Sequence, residues 1–358
     1  MKIYPLVSLK SDWYPKQSFE TFSKYSEIIF VDNPYDADII WIYSYYSSLS
    51  ALLRRDSWFF YKLLNVTPFI TAINGSFPLS PKFLKRHKSL ENKIIVSTIH
   101  HLDQSKKNEW FKYVKELDRI SDFIQFFSEP NIKENQMYFS SPIIKMPYWI
   151  DNMHFNPLSQ EKIKKIKQDL ELPFGKKILG SFQRDTESDC KSPKLAKGPD
   201  IFCDVVEKLD RNEWFILLSG PRRQYVESRL SRIGIPFKSL GHYSIDKMND
   251  IYNAIDMYLV TSRVEGGPQA ILECMATKTP IFSTPVGIYD SLSPDVVKST
   301  SEDFVDALNN KYPDVIESHY EKSKDFYCGK VVKKWEILFG ELKGFEAVKN
   351  SEFKFYNI

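Results

Sequence analysis

Residues 262–276 read SRVEGGPQAILECMA, and they group the side chains and backbone best suited to chemistry. Glu265 and Glu273 bracket Gly266, Gly267 and Pro268 and a short apolar run. The preceding MYLVTS (257–262) reads as a buried strand. Pro268 suits the first position of a helix, where its missing N–H is no loss. A helix over 268–278 puts Ile271, Leu272, Met275 and Ala276 in one apolar stripe, with Gln269 and Glu273 on the opposite side. Residues 265–267 then form a strand-to-helix loop. In a doubly wound sheet such loops lie at the carboxyl ends of the strands, where ligands bind. One glycine serves the turn and the other leaves room for a ligand against the backbone, while the free N–H groups of a helix start suit an anion. The carboxylates can accept hydrogen bonds from hydroxyls of a sugar. On pattern alone, a capped, solvent-facing helix with incidental glutamates explains the stretch at least as well.

The elements that must position these residues alternate along the chain. Strand-like runs occur at 3–8, 27–32, 38–43, 68–73, 93–99, 122–128 and 142–149, and again at 176–182, 214–220, 237–241, 257–262 and 280–285. Helical patterns lie between most of them, at 57–64, 161–172, 200–209 and 247–255. Alternating strands and helices predict an α/β protein with parallel, doubly wound sheets. A chain of 358 residues exceeds what one core usually spans, so two domains are expected. The polar stretch DNMHFNPLSQ (151–160) marks the boundary, giving domains over 1–150 and 151–325. The remainder, 326–358, starts with YCGKVVKKWEILFGELKGF (327–345). This is an amphipathic helix with Val331, Val332, Trp335, Leu338 and Phe339 on one side, suited to crossing back onto the first domain.

The pattern S-x-x-E-G-G-P-x-x-x-L-E-x-M-A, followed by PIFSTPVG (280–287), resembles the signature of the retaining family-4 glycosyltransferases, whose fold is GT-B: two Rossmann-like domains facing a cleft. The resemblance covers roughly residues 142–290 well and the first domain loosely. It implies a metal-independent transferase using a nucleotide-diphosphate sugar, with no further cofactor, acting on a glycan or lipid-linked acceptor. Glu265 would contact the donor sugar, the backbone of Gly266, Gly267, Pro268 and Gln269 would hold sugar and phosphate, and Glu273 would bind the ribose. Charge builds on the leaving diphosphate as the glycosidic bond breaks. Arg184 and Lys197, in the single loop after KKILGSF (176–182), are similar to the family's diphosphate-binding cations. The family has an arginine directly after the strand's glycine, where this chain has Ser181. LLSGPRRQY (217–225) resembles the glycine loop near the nucleotide and points to Gly220. LGHYSIDKM (240–248) resembles the segment that reads the base and points to His242 and Tyr243. STIHHLD (97–103) puts His100 at a strand tip, matching a family histidine that faces the donor. MPYWIDNMHF (146–155) looks like the family's linker, without its glycine. The glycine-rich loop that many members carry after the first strand has no counterpart in VSLKSDWYP (7–15).

Composition narrows the remaining classes. A net charge of +3 is too balanced for a nucleic-acid partner. The cysteines, Cys190, Cys203, Cys274 and Cys328, are far apart and read as reduced thiols. No signal-peptide core or membrane-length apolar run is present, so a cytoplasmic protein is expected and the sequons at Asn65 and Asn74 carry little weight. FPLSPKFLKRHKSL (77–90) mixes basic and apolar residues. It is compatible with peripheral contact to an anionic membrane surface or a lipid-diphosphate acceptor, but a solvated loop and helix face accounts for it better. The one Asp-x-Asp, Asp36 to Asp38, precedes a strand and reads as a turn, so no catalytic metal is expected. Nothing points to an obligate protein partner. Two rivals keep the same fold: a nucleotide-sugar epimerase or hydrolase, and a non-catalytic nucleotide- or glycan-binding homologue.

Overall fold

Runs such as IIWI and IIVST have no polar face, so they are stable only as strands covered on both sides. A computed structural model describes residues 1–7, 14–43, 93–187 and 189–344, and in it these runs form the centre of a parallel sheet. The chain divides into two compact units, Met1–Trp149 with Cys328–Ile358, and Ile150–Tyr327.

In chain order the first unit contains β1 (Lys2–Leu6), α1 (Tyr14–Tyr25), β2 (Ile29–Phe30), β3 (Ile39–Ile42), β4 (Ile94–Thr98), α2 (Lys107–Ile120), β5 (Phe123–Phe126), α3 (Glu129–Asn135) and β6 (Ile143–Lys145). Its sheet is parallel, in the order β2-β1-β3-β4-β5-β6. Asp38 enters β3 as the expected turn: its carboxylate accepts from Lys2 N at 2.8 Å and pairs with Lys343 at 3.0 Å. The expected helix 57–64, strand 68–73, basic stretch 77–90 and both sequons lie outside the described residues.

The second unit contains α4 (Gln160–Asp169), β7 (Lys177–Ser181), α5 (Pro199–Glu207), β8 (Trp214–Leu218), α6 (Gln224–Ile233), β9 (Phe237–Ser239), α7 (Ile245–Ala254), β10 (Met257–Val260), α8 (Gln269–Thr277), β11 (Ile281–Ser283), α9 (Ser301–Asn309) and α10 (Ile316–Ser323). The parallel order is β11-β10-β7-β8-β9. Successive crossovers leave β7 in one direction through β8 and β9, and in the other through β10 and β11. The sheet therefore reverses between β7 and β10, which opens a crevice above their carboxyl ends.

The last helix, α11 (Cys328–Gly344), belongs to the first unit. It buries Val331, Val332, Trp335, Leu338 and Phe339, the stripe expected from its periodicity. Trp335 lies 4.7 Å from Trp41 between ring centroids, and Phe339 lies 5.3 Å from Trp41. Phe22 of α1 joins them, 5.2 Å from Trp41 and 5.0 Å from Trp149. Much of the aromatic content is thus core, where each such ring is worth about 3–5 kcal/mol on truncation to alanine.

Candidate functional site

The crevice of the second unit is built from two loops. One follows β7 and reaches α5 through Lys197 and Gly198; the other follows β10 and reaches α8 through Glu265. Gly198 takes a left-handed φ of 60°, and a Cβ there would lie 1.8 Å from the Thr261 carbonyl oxygen. Thr261 Oγ1 donates to Gly198 O at 2.9 Å, and Arg263 N donates to Ala196 O at 2.9 Å. Close backbone contact therefore sets one loop against the other.

Lys197 Nζ donates directly to Glu265 Oε1 in an ion pair whose side chains are 26% and 11% exposed. Ser262 Oγ donates to Glu265 Oε1 at 3.0 Å, with Gln183 Oε1 sharing the proton at 3.2 Å. Gln183 Nε2 donates to Lys197 O at 2.9 Å, closing the ring of contacts. Two residues singled out by sequence thus meet. Ser262 and Gln183, which sequence reasoning did not select, lock them; Ser262 is the opening serine of the 262–276 pattern.

Pro268 is not the first helical residue as expected. It is the N-cap of α8, with φ −60° and ψ 113°, and its carbonyl accepts from Ile271 N at 2.9 Å. An extended ψ lets it cap, and the helix begins at Gln269. The chain bends at Gly266, although neither Gly266 nor Gly267 takes a positive φ. The left-handed glycine is Gly287, after β11, where a Cβ would lie 2.8 Å from Gly267 Cα and 2.8 Å from Pro268 Cδ. Gly267 permits backbone to pack on backbone. Gln269 Nε2 is buried beside this loop and has no hydrogen-bond partner among the described residues. A buried amide donor of this kind is complete only with an acceptor.

Glu273, one turn further along α8, is hydrogen-bonded to the Tyr252 hydroxyl of α7. Burial pushes its carboxyl up to about 7, against the stabilising effect of that bond. Gly220 follows β8 with φ 99° and donates its N–H to Gly241 O at 2.8 Å. This joins the β8 loop to the β9 loop that carries exposed His242 and half-buried Tyr243. Arg184 is half-buried in the loop after β7; burial and the neighbouring Arg222 guanidinium hold its pKa below the ordinary arginine value.

His100 lies in the first unit, just past β4. One ring nitrogen, Nε2, is 2.8 Å from Tyr43 O, which can only accept, so Nε2 carries the proton. Nδ1 then accepts from the Tyr148 hydroxyl at 3.0 Å. Burial pulls the imidazole pKa down to about 4, so the ring is neutral near pH 7 with both nitrogens engaged.

Among the described residues, no group of three or more His, Cys, Asp or Glu side chains could hold a metal ion. None of their helices is long and apolar enough to cross a membrane.

Residues 192–314 match the family Glycosyl transferases group 1. That span holds Lys197, Gly220, Glu265 and Glu273, and leaves out Arg184 and His100. Over 164 residues the chain is 27% identical to the lipopolysaccharide core biosynthesis mannosyltransferase LpsB of Rhizobium meliloti (strain 1021), covering 43% of this chain and 44% of that protein. The alignment thus spans less than half of the relative. Anabaena Alr3699/HepE, solved in complex with UDP and glucose, aligns with a TM-score of 0.68 at 12% identity, over 95% of this chain and 100% of that one. A glycosyltransferase from Rickettsia africae ESF-5 aligns with a TM-score of 0.65 at 16% identity, over 98% and 99% of the two chains. These likenesses show the fold, two Rossmann-like α/β units of the GT-B class.

Proposed function

We propose, from the match of residues 192–314 to the family Glycosyl transferases group 1, that the chain moves a hexose from a nucleotide-diphosphate donor to a hydroxyl of a glycan or lipid-linked acceptor. The observation that carries the reading is the Lys197–Glu265 pair at the sheet's reversal point, beside the start of α8. Glu265 is the acceptor for donor-sugar hydroxyls. Lys197 and the N–H groups around Gln269 are the positive field for the diphosphate, aided by the α8 dipole. Glu273 takes the ribose hydroxyls. LpsB is named a mannosyltransferase, and HepE was solved with UDP-glucose, which supports a nucleotide-hexose donor and a saccharide acceptor.

With Glu265 held by Lys197 and Ser262, we assign same-face attack. The bond from the anomeric carbon to the diphosphate oxygen breaks as the bond to the acceptor oxygen forms. The acceptor's proton passes to the departing diphosphate oxygen, and the anomeric configuration is retained. The cations stabilise the charge that develops on the leaving group. No metal ion is required for this step.

The test is turnover with UDP-glucose and GDP-mannose against lipid-linked and free oligosaccharides, after a thermal-shift screen of nucleotide sugars. Release of nucleoside diphosphate only when acceptor is present, lost in Glu265→Ala, is the expected result. Free sugar or an epimer from donor alone would instead indicate a hydrolase or epimerase. Binding with no turnover on any acceptor would indicate a non-catalytic homologue. An inverted anomer in the product would overturn the same-face step.

A further inference from the structure

We propose that Arg263 and Asp200 are positioning residues that clamp the turn carrying Lys197 and so hold its ammonium against Glu265. The role given to Lys197 rests on the glycosyltransferase reading; the clamp itself rests on the hydrogen bonds around the turn.

Lys197 ends the short turn Leu195–Lys197, which has no side-chain cap among the described residues. The residues of the turn are half-buried or exposed, and the Leu195 side chain faces solvent. Apolar packing therefore does little to fix it. A lysine carries its charge on a flexible four-carbon stem, so the ammonium is only as well placed as the backbone beneath it.

That backbone is held one carbonyl at a time. Arg263 Nη1 donates to Leu195 O at 2.9 Å. Arg263 N and Val264 N donate to Ala196 O at 2.9 and 3.1 Å. Gln183 Nε2 donates to Lys197 O at 2.9 Å, and Thr261 Oγ1 donates to Gly198 O at 2.9 Å. Successive carbonyls from 195 to 198 thus take bonds from residues 261–264 and from Gln183. The β10 loop that makes most of these bonds also carries Glu265, so the turn is registered on the loop of the carboxylate that Lys197 pairs with.

The Arg263 guanidinium closes the clamp. Nη1 donates to Asp200 Oδ1 at 2.7 Å and Nη2 donates to Asp200 Oδ2 at 2.6 Å. Nη1 uses both of its hydrogens, one on Asp200 and one on Leu195 O. Asp200 stands in the first turn of α5, just past Gly198 and Pro199. One planar group therefore ties residues 195 and 200, on either side of Lys197, to the β10 loop. Asp204, one turn further along α5, pairs with Arg229 at 3.1 Å, which leaves Asp200 to Arg263. A lysine at 263 keeps the charge and loses the fork that serves three acceptors at once.

The Arg263 and Asp200 side chains are 43% and 28% exposed, so their ion pair adds little to stability. Its effect lies in placement, since a catalytic group displaced by about 1 Å can slow a reaction about 10²-fold. An arginine that only stabilised the fold would matter whatever stood at 197. One that positions Lys197 matters only while the ammonium is there.

The test joins amide hydrogen exchange on the full chain to a double-mutant cycle in transfer kinetics. Arg263→Gln and Asp200→Asn should each speed exchange of the 195–198 amides by about tenfold, leave β10 unchanged and shift the melting temperature by no more than about 3 °C. Arg263→Gln should slow transfer by about 10- to 100-fold, and Arg263→Lys should stay at least about fivefold slow. In a Lys197→Ala background the Arg263→Gln change should cost less than about twofold, because no ammonium is left to place. Equal losses in the two backgrounds overturn the positioning role, as does unchanged exchange at 195–198 in Arg263→Gln. Full recovery by Arg263→Lys overturns the fork. If wild type turns over on no acceptor, the transferase reading fails and the same cycle is read on calorimetric affinity for UDP and GDP. Loss confined to the Lys197 background then upholds the clamp, and equal losses overturn it.

Discussion

Lys197 and Glu265 are in direct ion-pair contact although one follows β7 and the other follows β10. A partly exposed pair of this kind contributes on the order of 1 kcal/mol to stability. Its position matters more, since one partner can turn to phosphate and the other to a sugar hydroxyl. Glu265→Gln keeps the shape and removes the charge. It should lower the transfer rate by about 10²–10³-fold with a small change in melting temperature. Lys197→Ala should do the same, and the double variant should lose less than the sum, because the two act on one donor. Full additivity in steady-state kinetics would separate their roles.

Glu273 gives a pH signature. Burial raises its folded-state pKa from 4.5 to about 7. Below pH 4.5 both folded and unfolded chains are protonated there, and the group contributes nothing to the balance. As pH rises from 4.5 to 7 the unfolded chain loses the proton first, so stability falls across that window and levels off above it. Glu273→Gln removes the penalty. Denaturant melts should show the variant gaining on the order of 1–3 kcal/mol over wild type at pH 8 and little at pH 4.5. A gap that does not change with pH would refute the raised carboxyl. Under the proposed ribose contact, the same variant should also weaken donor binding.

The legible part of the sequence was local. MYLVTS, the loop at Glu265 and the helix after it are consecutive, so strand, turn and helix signals reinforce one another, and the strands of both sheets are short apolar runs of the same kind. The alternation of strands and helices likewise exposed the two-domain α/β plan. The features that escaped depend on contacts made across the fold. Gln183 meets Ser262 from another strand end, and the two are 79 residues apart. Tyr252 meets Glu273 because α7 packs beside α8. Pro268 caps rather than starts α8, because the choice between the two turns on one ψ angle, which proline leaves open.

His100 should act as a neutral, locked group. Its pKa is drawn down to about 4 from 6.5 by burial. Above pH 6.5 both states are neutral; as pH falls from 6.5 to 4 the unfolded chain gains a proton first, and stability is lost over that window. His100→Gln should flatten this acid loss by on the order of 1–3 kcal/mol. Tyr148→Phe removes the hydroxyl donor to Nδ1, which favours the neutral ring, so the His100 pKa should rise. Imidazole titration by NMR reads both effects. An unperturbed titration near 6.5 in wild type would show that the ring is not held this way.

Gly287 supports the loop at the start of α8 through the space it leaves. At φ 59°, an added Cβ would press on Gly267 Cα and Pro268 Cδ, both at 2.8 Å. Gly287→Ala therefore combines left-handed strain with a clash against backbone that has nowhere to go. It should cost about 2–4 kcal/mol in denaturant unfolding and displace residues 266–268, so donor affinity falls as well. Gly175→Ala is the matched control. Gly175 is also left-handed, at φ 82°, but nothing lies within 4 Å of its Cβ position. It should lose only the strain, about 1–2 kcal/mol, and keep donor affinity. Equal donor affinities in the two variants would mean that Gly267 and Pro268 do not need the packing that Gly287 allows, and that the loop's shape is set from the α8 side alone.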